Sequence, residues 1–335
     1  MQRVGLLGSG VMATTHANSY ATIGDAEVVA VASTGDNLDE FVDEHTPDGT
    51  AYDDPETMLD EADITILDVC TPTPTHHDYA TTGAERGLAV FCEKPMTRTM
   101  AEADSLVATV EETGVPFMVG HVLRFFPSYL TAKDRIDAGE LGQLGTMRAE
   151  RLSPPPKYGS DNWFSDVEQS GGVLLDMAIH DFDYLRWIVG DVERVFTRST
   201  TWTSEEGHRY EHAGVDLRFA DGTAGYVEAS WAYPDQMDFT TGFEFAGDEG
   251  SLEYDTRDEH PVRFTGDTGG EMDPAAGAFR VSPYTRELRH FVECVESGTD
   301  PAVGAHEARE AVRIALAAIA SGERGEPVTV SEVTA

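Results

Sequence analysis

The first 120 residues alternate between two hydrophobic periods, and that alternation narrows the possible folds more than any other feature. Short apolar runs stand at 4–7, 28–33, 64–69, 88–92 and 116–119. Helix-like segments lie between them, at about 11–23, 36–45, 76–86 and 98–113. Joining parallel strands takes a crossover of about a dozen residues or more, usually a helix. Strands and helices in alternation therefore predict an α/β domain over 1–120, a doubly wound parallel sheet covered on both faces.

After residue 120 the pattern changes. A helix-like stretch at about 127–139 leads to "GTMRAERLS", a proline-rich loop at Pro154-Pro155-Pro156 and a helix at about 171–189. "VERVFTRSTTWT" and two hairpins follow, one turning at Asp221-Gly222 and the other around Asp248 to Gly250. A loop rich in Gly, Asp and Pro, about 255–279, precedes closing helices near 284–297 and 305–321. Hairpin strands with helices set apart predict an α+β second domain over 121–335, with an open, largely antiparallel sheet. A length of 335 residues suits two domains.

"VGLLGSGVMA" places Gly8-x-Gly10-x-x-Ala13 between the first strand and the first helix. The first glycine permits a tight turn, the second lets backbone approach a pyrophosphate, and the small third residue lets helix and strand pack closely. The phosphates would sit at the helix start, against Val11 and Met12. Strand two ends in Ser33-Thr34-Gly35-Asp36 with no acid at its tip. Ser33 and Thr34 could hydrogen-bond a 2'-phosphate, although no Arg follows. The reading is NADP or NAD, leaning slightly to NADP.

Charge excludes several partners. Asp and Glu number 61 against 23 Lys and Arg, a net charge of -38. The acids are dispersed through periodic sequence, unlike a disordered tail, and such a surface repels nucleic acid and anionic membrane. Screening falls to about 3 Å in 1 M salt, where this self-repulsion is tolerable, so the surface reads as halophilic. No apolar stretch could span a membrane. "MQRVGLLGSG" enters a strand at once, leaving no room for a signal peptide. Cys70, Cys92 and Cys294 fit neither a disulfide framework nor a zinc site. A cytoplasmic protein is expected.

Against that background lysine is scarce: only Lys94, Lys133 and Lys157 occur. Lys133 and Lys157 sit in a helix-like and a loop-like stretch, whereas Lys94 follows an apolar run in "FCEKPM". In "SGGVLLDMAIHDFDYLRWIVG", apolar nearly all round, Asp176, His180 and Asp183 fall at i, i+4 and i+7, on one helical face. The stripe is either the wet face of an amphipathic helix or a carboxylate one turn from an imidazole whose pKa it tunes. Gly171-Gly172 would let backbone approach a ligand. Asp176, His180 and His121 lack a tight ligand motif, so no metal is expected.

Together these segments resemble the glucose-fructose oxidoreductase / inositol dehydrogenase / rhizopine catabolism family of NAD(P)-dependent oxidoreductases. The pieces that carry the resemblance are "GLLGSGVMA", "DVCTPTPTHHDYA", "VFCEKPM", "VGHVLRFFP", "DNWFSD", "SGGVLLDMAIHDFDYLRW" and the closing "EAREAVRIALAAIASGERGEPVTV". The resemblance implies a Rossmann domain followed by an α+β domain whose open sheet commonly builds oligomers, here a homodimer or homotetramer. It places Lys94 between nicotinamide and substrate, and Asp176 and His180 in the same cleft. His180 would be the general base, and Asp176 would orient it or bind a neighbouring hydroxyl. Cys70, Thr71, Pro72 and His76 match the turn that passes the nicotinamide. Glu93 would bind ribose or brace the lysine, Arg124 matches a position near cofactor or substrate, and Trp163 one lining the cleft. The Lys94-Pro95 peptide would be cis.

The implied activity is hydride transfer between nicotinamide and a CH-OH or C=O group of a sugar, polyol or related cyclic compound. An ammonium beside the reacting oxygen suits that chemistry, because it stabilises a developing alkoxide. The rivals are a non-catalytic dinucleotide-binding regulator, a reductase of C=N or C=C bonds, and a nucleotide-sugar dehydrogenase. On the plainer side, His76 could cap its helix, Tyr158 and Trp163 could be packing, and Cys70 and Cys92 are buried small hydrophobes.

Overall fold

The computed structural model describes residues 1–156, 163–204, 209–258, 262–266 and 281–335. Lys157, Tyr158 and much of the 255–279 loop lie outside the described residues. The chain divides into two compact units, 1–125 with 281–309, and 126–280 with 310–335.

The first unit opens with β1 (Gln2–Leu7), α1 (Val11–Tyr20), β2 (Ala26–Ala32), α2 (Leu38–His45), β3 (Thr50–Tyr52), α3 (Pro55–Glu61) and β4 (Ile66–Val69). It continues with α4 (His76–Glu85), β5 (Ala89–Cys92), α5 (Met100–Thr113) and β6 (Phe117–Val119). The six strands pair in parallel in the order β3-β2-β1-β4-β5-β6. This is the doubly wound order, whose switch point lies between β1 and β4. Both faces are covered, so Val4, Leu6, Val31, Ile66 and Phe91 are buried. Local chemistry sets the ends of α5. Thr99 and Glu102 form a reciprocal capping box at its start, and Gly114 closes it at φ 65°. β3 and α3 have no counterpart in the expected elements. β3 is a three-residue edge strand without an apolar run, and α3 begins at the Asp54 cap.

The second unit holds α6 (Pro127–Asp137), β7 (Leu144–Leu152), α7 (Val167–Ser170), α8 (Gly172–Asp176) and α9 (Ile179–Val189). Next come β8 (Val192–Thr203), β9 (Arg209–Phe219), β10 (Ala224–Ser230), β11 (Thr240–Gly247), β12 (Gly250–Asp255) and β13 (Val262–Gly266). The chain closes with α10 (Pro283–Ser297), α11 (Ala305–Arg324) and β14 (Val328–Thr329). The sheet runs β13-β12-β11-β7-β10-β9-β8-β14, antiparallel except where β10 meets β7. Both expected hairpins are present; Gly222 takes φ 94° at the β9–β10 turn, and Asp221 accepts from the Thr223 amide and hydroxyl. Tyr129, Tyr184, Phe243 and Tyr254 interlock edge-to-face or stacked in the core of this unit. No helix among the described residues is long and apolar enough to cross a membrane.

Two features differ from the sequence expectation. The segment 281–309 belongs to the first unit: Leu288, Phe291 and Val292 of α10 join its core, and Thr285 donates to Ser19 of α1 at 3.0 Å. The helix expected over 171–189 is broken. Gly171 and Gly172 take φ 80° and 68°, so α7 ends and α8 begins at these two residues and no helix runs through them. The Val173 carbonyl then accepts from both Met177 and Ala178, at 3.2 and 2.9 Å. The second of these is an i to i+5 bond that inserts a residue into the turn. Asp176 therefore ends α8, while His180 and Asp183 lie on α9.

Candidate functional site

The glycine loop after β1 has the geometry its spacing predicts. Gly8 takes φ 113°, and a Cβ there would lie 2.5 Å from the Cys70 carbonyl oxygen. Gly10 caps α1, and a Cβ on it would meet nothing within 4 Å. Ala13 is fully buried, Val11 is 59% exposed and Met12 is half-buried. The loop thus leaves open space over the N-terminus of a ten-residue helix with no acid in its first turn, the setting in which backbone amides hold a pyrophosphate. Beyond β2, Ser33 is engaged internally. Its hydroxyl lies 2.7 Å from that of Ser9, which donates to Asn37 at 2.8 Å, and the Gly35 amide donates to Ser33 at 3.1 Å. Thr34 and Asp36 are exposed.

The ends of β4 and β5 bring the next group together. Cys70, Thr71 and Pro72 follow β4, and Glu93, Lys94 and Pro95 follow β5. The Lys94-Pro95 peptide is cis, as expected. His76, the first residue of α4, ties the two turns: its Nδ1 is 2.8 Å from the Pro95 carbonyl oxygen and its Nε2 is 2.8 Å from that of Thr71. A neutral imidazole donates from only one nitrogen, and burial, opposed by these carbonyls, holds this ring below the ordinary histidine pKa. His76 does not cap its helix by its side chain; both ring nitrogens face protein carbonyls instead. Glu93 accepts the Lys94 amide at 3.1 Å and packs its carboxylate against Gly120, where a Cβ would lie 3.1 Å from Oε1. Arg124 is buried and donates to the Ala302 carbonyl at 3.0 Å.

A cluster that the sequence reading missed lies under these turns. His16 of α1 and Asp68 of β4 are fully buried, with His16 Nδ1 2.9 Å from Asp68 Oδ2 and Nε2 3.2 Å from Glu93 Oε1. The Cys70 thiol lies 3.1 Å from the same Nδ1 and donates to Asp68 at 3.3 Å. Burial and the Asp68 carboxylate push that thiol up, so it stays protonated. His16, Asp68 and Cys70 offer ligand atoms within 4.8 Å of one another, the only such set among the described residues. Their separations are hydrogen-bond lengths, with Asp68 and the Cys70 thiol both meeting His16 Nδ1. One signal was available: Asp68 interrupts the apolar run "ITILDVC", and His16 shares a helical face with Ala13, Ala17 and Tyr20.

In the second unit the stripe is not a wet face. Asp183 is 1% exposed and Asp181 fully buried, whereas Asp176 and His180 are half-buried. The space beside Gly172 is filled by protein: the Glu211 carboxylate, paired with Arg209, accepts the Val173 amide at 2.6 Å, and a Cβ on Gly172 would lie 2.6 Å from its oxygen. Trp163 stacks on Phe164 with ring centroids 4.0 Å apart.

Residues 2–121 match the family model described as the oxidoreductase family with NAD-binding Rossmann fold, and 129–253 match the GFO/IDH/MocA C-terminal domain. The chain is 32% identical to scyllo-inositol 2-dehydrogenase (NAD(+)) of Bacillus subtilis, over 97% of this chain and 95% of that protein. It is 28% identical to myo-inositol 2-dehydrogenase of Thermotoga maritima, over 99% of each. A crystal structure of a probable dehydrogenase from Thermotoga maritima superposes with a TM-score of 0.82 at 27% identity, covering 99% of each chain. With a nucleotide loop of the right geometry and both halves matched, the chain belongs to the GFO/IDH/MocA family of oxidoreductases.

Proposed function

We propose that this oxidoreductase is an NAD-dependent dehydrogenase of a cyclic polyol, oxidising one secondary CH-OH group to a ketone. The observation that carries the reading is Lys94, placed at the carboxyl end of β5, in the crest of the parallel sheet where doubly wound domains bind their ligands. The open space at Gly10 and the bare α1 N-terminus fit a dinucleotide pyrophosphate. Val11, Met12, Cys70, Thr71, Pro72 and Arg124 would line its path. NAD(+), when bound, supplies the hydride acceptor.

Each protein group has one task. The Lys94 ammonium holds the substrate oxygen and stabilises the negative charge that builds as the hydride leaves carbon. His180 takes the hydroxyl proton as general base. Asp176 orients His180 or binds the adjacent hydroxyl, and Trp163 covers a face of the ring. Hydride and proton leave separately and a carbonyl remains.

NAD is favoured over NADP, against the slight lean of the sequence reading. Ser33, offered there to a 2'-phosphate, is already engaged with Ser9 and Gly35. The run 33–40 holds three acids and no cation, so a phosphate dianion would be repelled while ribose hydroxyls could donate to Asp36. The scyllo-inositol relative is named for NAD(+). The outer face of the eight-stranded sheet would join chains into a homo-oligomer.

The test is a parallel fluorescence titration with NADH and NADPH in molar KCl, followed by a panel of inositols and sugars. Tight NADH binding and turnover of an inositol supports the reading. Tight NADPH binding overturns the cofactor choice. Binding with no turnover of any polyol overturns the reaction and favours a dinucleotide-binding regulator.

A further inference from the structure

His16 stands between two carboxylates, Asp68 on β4 and Glu93 just past the end of the adjacent β5. Its Nδ1 faces Asp68, at 2.9 and 3.1 Å from the two oxygens, and its Nε2 faces Glu93 Oε1 at 3.2 Å. All three side chains are buried, and the His16 and Phe91 rings meet edge-to-face with centroids 5.4 Å apart. The second Glu93 oxygen accepts the amide of Lys94 at 3.1 Å. The motif lysine is thus joined to a buried charge chain, Asp68 to His16 to Glu93, that the chemistry above does not use.

The protonation state of this chain follows from the geometry. A neutral imidazole has one donor and no charge, so it could serve Asp68 at Nδ1 but would leave Glu93, 3.2 Å from Nε2, without a counter-charge. Two carboxylates this deep without a cation would each cost several kcal/mol. An imidazolium donates to Asp68 from Nδ1 and sets its positive charge 3.2 Å from Glu93 Oε1, an ion pair outside hydrogen-bond angle, so that both carboxylates meet a cation. Burial alone would push His16 down, but Asp68 outweighs it and the ring is held well above the ordinary histidine value. Burial alone would push Glu93 up, but His16 beside it, with Lys94 and His76, holds it low.

We propose that His16 is a positioning residue for Lys94: an imidazolium clamped between Asp68 and Glu93, it holds the Glu93 carboxylate where that carboxylate accepts the Lys94 amide. The backbone from which the lysine projects is thereby set by a group on α1, 78 positions earlier in the chain. The remaining titratable groups around the pair are Tyr20 on α1, Cys70 after β4, Cys92 on β5, His76 on α4, Lys94 itself and Glu287 on α10. Burial raises Tyr20, Cys70 and Cys92 and lowers His76, so none of these four is charged near neutral pH. Only the structural half of the proposal is independent of the dehydrogenase reading; the kinetic half rests on it.

The experiment uses the full chain in molar KCl, 15N-labelled at histidine, with the His16 signals assigned by their loss in His16→Gln. In the wild type both His16 nitrogens are expected to keep imidazolium shifts through neutral pH, beyond the ordinary histidine range, and in Glu93→Gln to lose the proton at a lower pH. Kinetically, His16→Gln is expected to lower kcat with NAD(+) and scyllo- or myo-inositol by about 10- to 100-fold, the scale of a small misplacement. NADH affinity should change less than about threefold, since the lysine and not the pyrophosphate site is displaced. A wild-type His16 that is neutral at pH 7, or a His16→Gln enzyme with wild-type kcat, overturns the proposal. Should His16→Gln not fold, Glu93→Gln carries both readouts, because it keeps an oxygen for the Lys94 amide and removes the charge. If the wild type oxidises neither inositol, the dehydrogenase reading has failed, and the His16 titration still decides this one.

Discussion

Asp181 of α9 is fully buried and accepts two hydrogen bonds from one guanidinium, Arg151 Nε at 3.0 Å and Nη2 at 3.1 Å. Arg151 lies on β7 and is itself buried, so this bidentate pair fastens α9, the helix of His180, to the central part of the sheet. A buried pair is weak evidence of net stabilisation, but removing one partner strands the other. Arg151→Met should therefore cost about 3–5 kcal/mol in urea unfolding. The double variant Arg151→Met with Asp181→Leu should recover most of that loss. A single variant as stable as wild type would show that the pair does not act as a unit.

Lys94→Met should lower kcat/KM for the polyol by at least about 100-fold, the scale of losing a group that stabilises transition-state charge. NADH binding and the melting temperature should stay near wild type. Lys94→Arg should not rescue, because the guanidinium is larger, planar and donates in a fixed fork. Normal turnover by either variant would remove Lys94 from the mechanism.

His180→Asn should reduce turnover by about 100- to 10,000-fold, the range for a general base. The acid limb of the kcat/KM profile, where the base becomes protonated, should flatten in the variant. An unchanged limb would assign it to another group.

The two glycines of the nucleotide loop should respond differently to alanine. Gly8→Ala places a Cβ 2.5 Å from the Cys70 carbonyl and strains a φ of 113°, so the melting temperature should fall. Gly10→Ala meets no atom within 4 Å, so the fold should hold while NADH affinity drops about tenfold by obstructing the pyrophosphate. Equal loss of stability in both variants would contradict the open space over Gly10.

With a net charge of -38, the melting temperature should rise steeply as KCl is increased from 0.1 to 2 M, roughly the range over which the screening length shrinks from about 10 Å to below 3 Å. A flat dependence would show that this charge does not oppose folding and would remove the halophilic reading.

Much of this molecule is written in local pattern. Runs such as Val4 to Leu7 and Leu88 to Cys92 are apolar because both faces of a parallel sheet are covered, so the fold class follows from short windows. The glycine loop, the 222 turn and the α5 capping box are equally local, each needing a particular residue at a particular offset. The break between α8 and α9 was not legible, since the apolar pattern runs through it; it lies at Met177 and Ala178, whose amides share the Val173 carbonyl.

From sequence alone came the two-domain plan of a doubly wound α/β half and an α+β half, the dinucleotide loop, and the isolation of Lys94, Asp176 and His180 as polar residues in apolar surroundings. Only the tertiary structure decided what those surroundings do. It returned α10 to the first core, engaged Ser33 with Ser9, filled the space at Gly172 with Glu211, and set His16 between Asp68 and Glu93. The physical reason is range. Periodicity and turn chemistry act over a few residues, whereas a buried charge finds its partner wherever the fold brings a counter-charge, here 52 positions from His16 to Asp68.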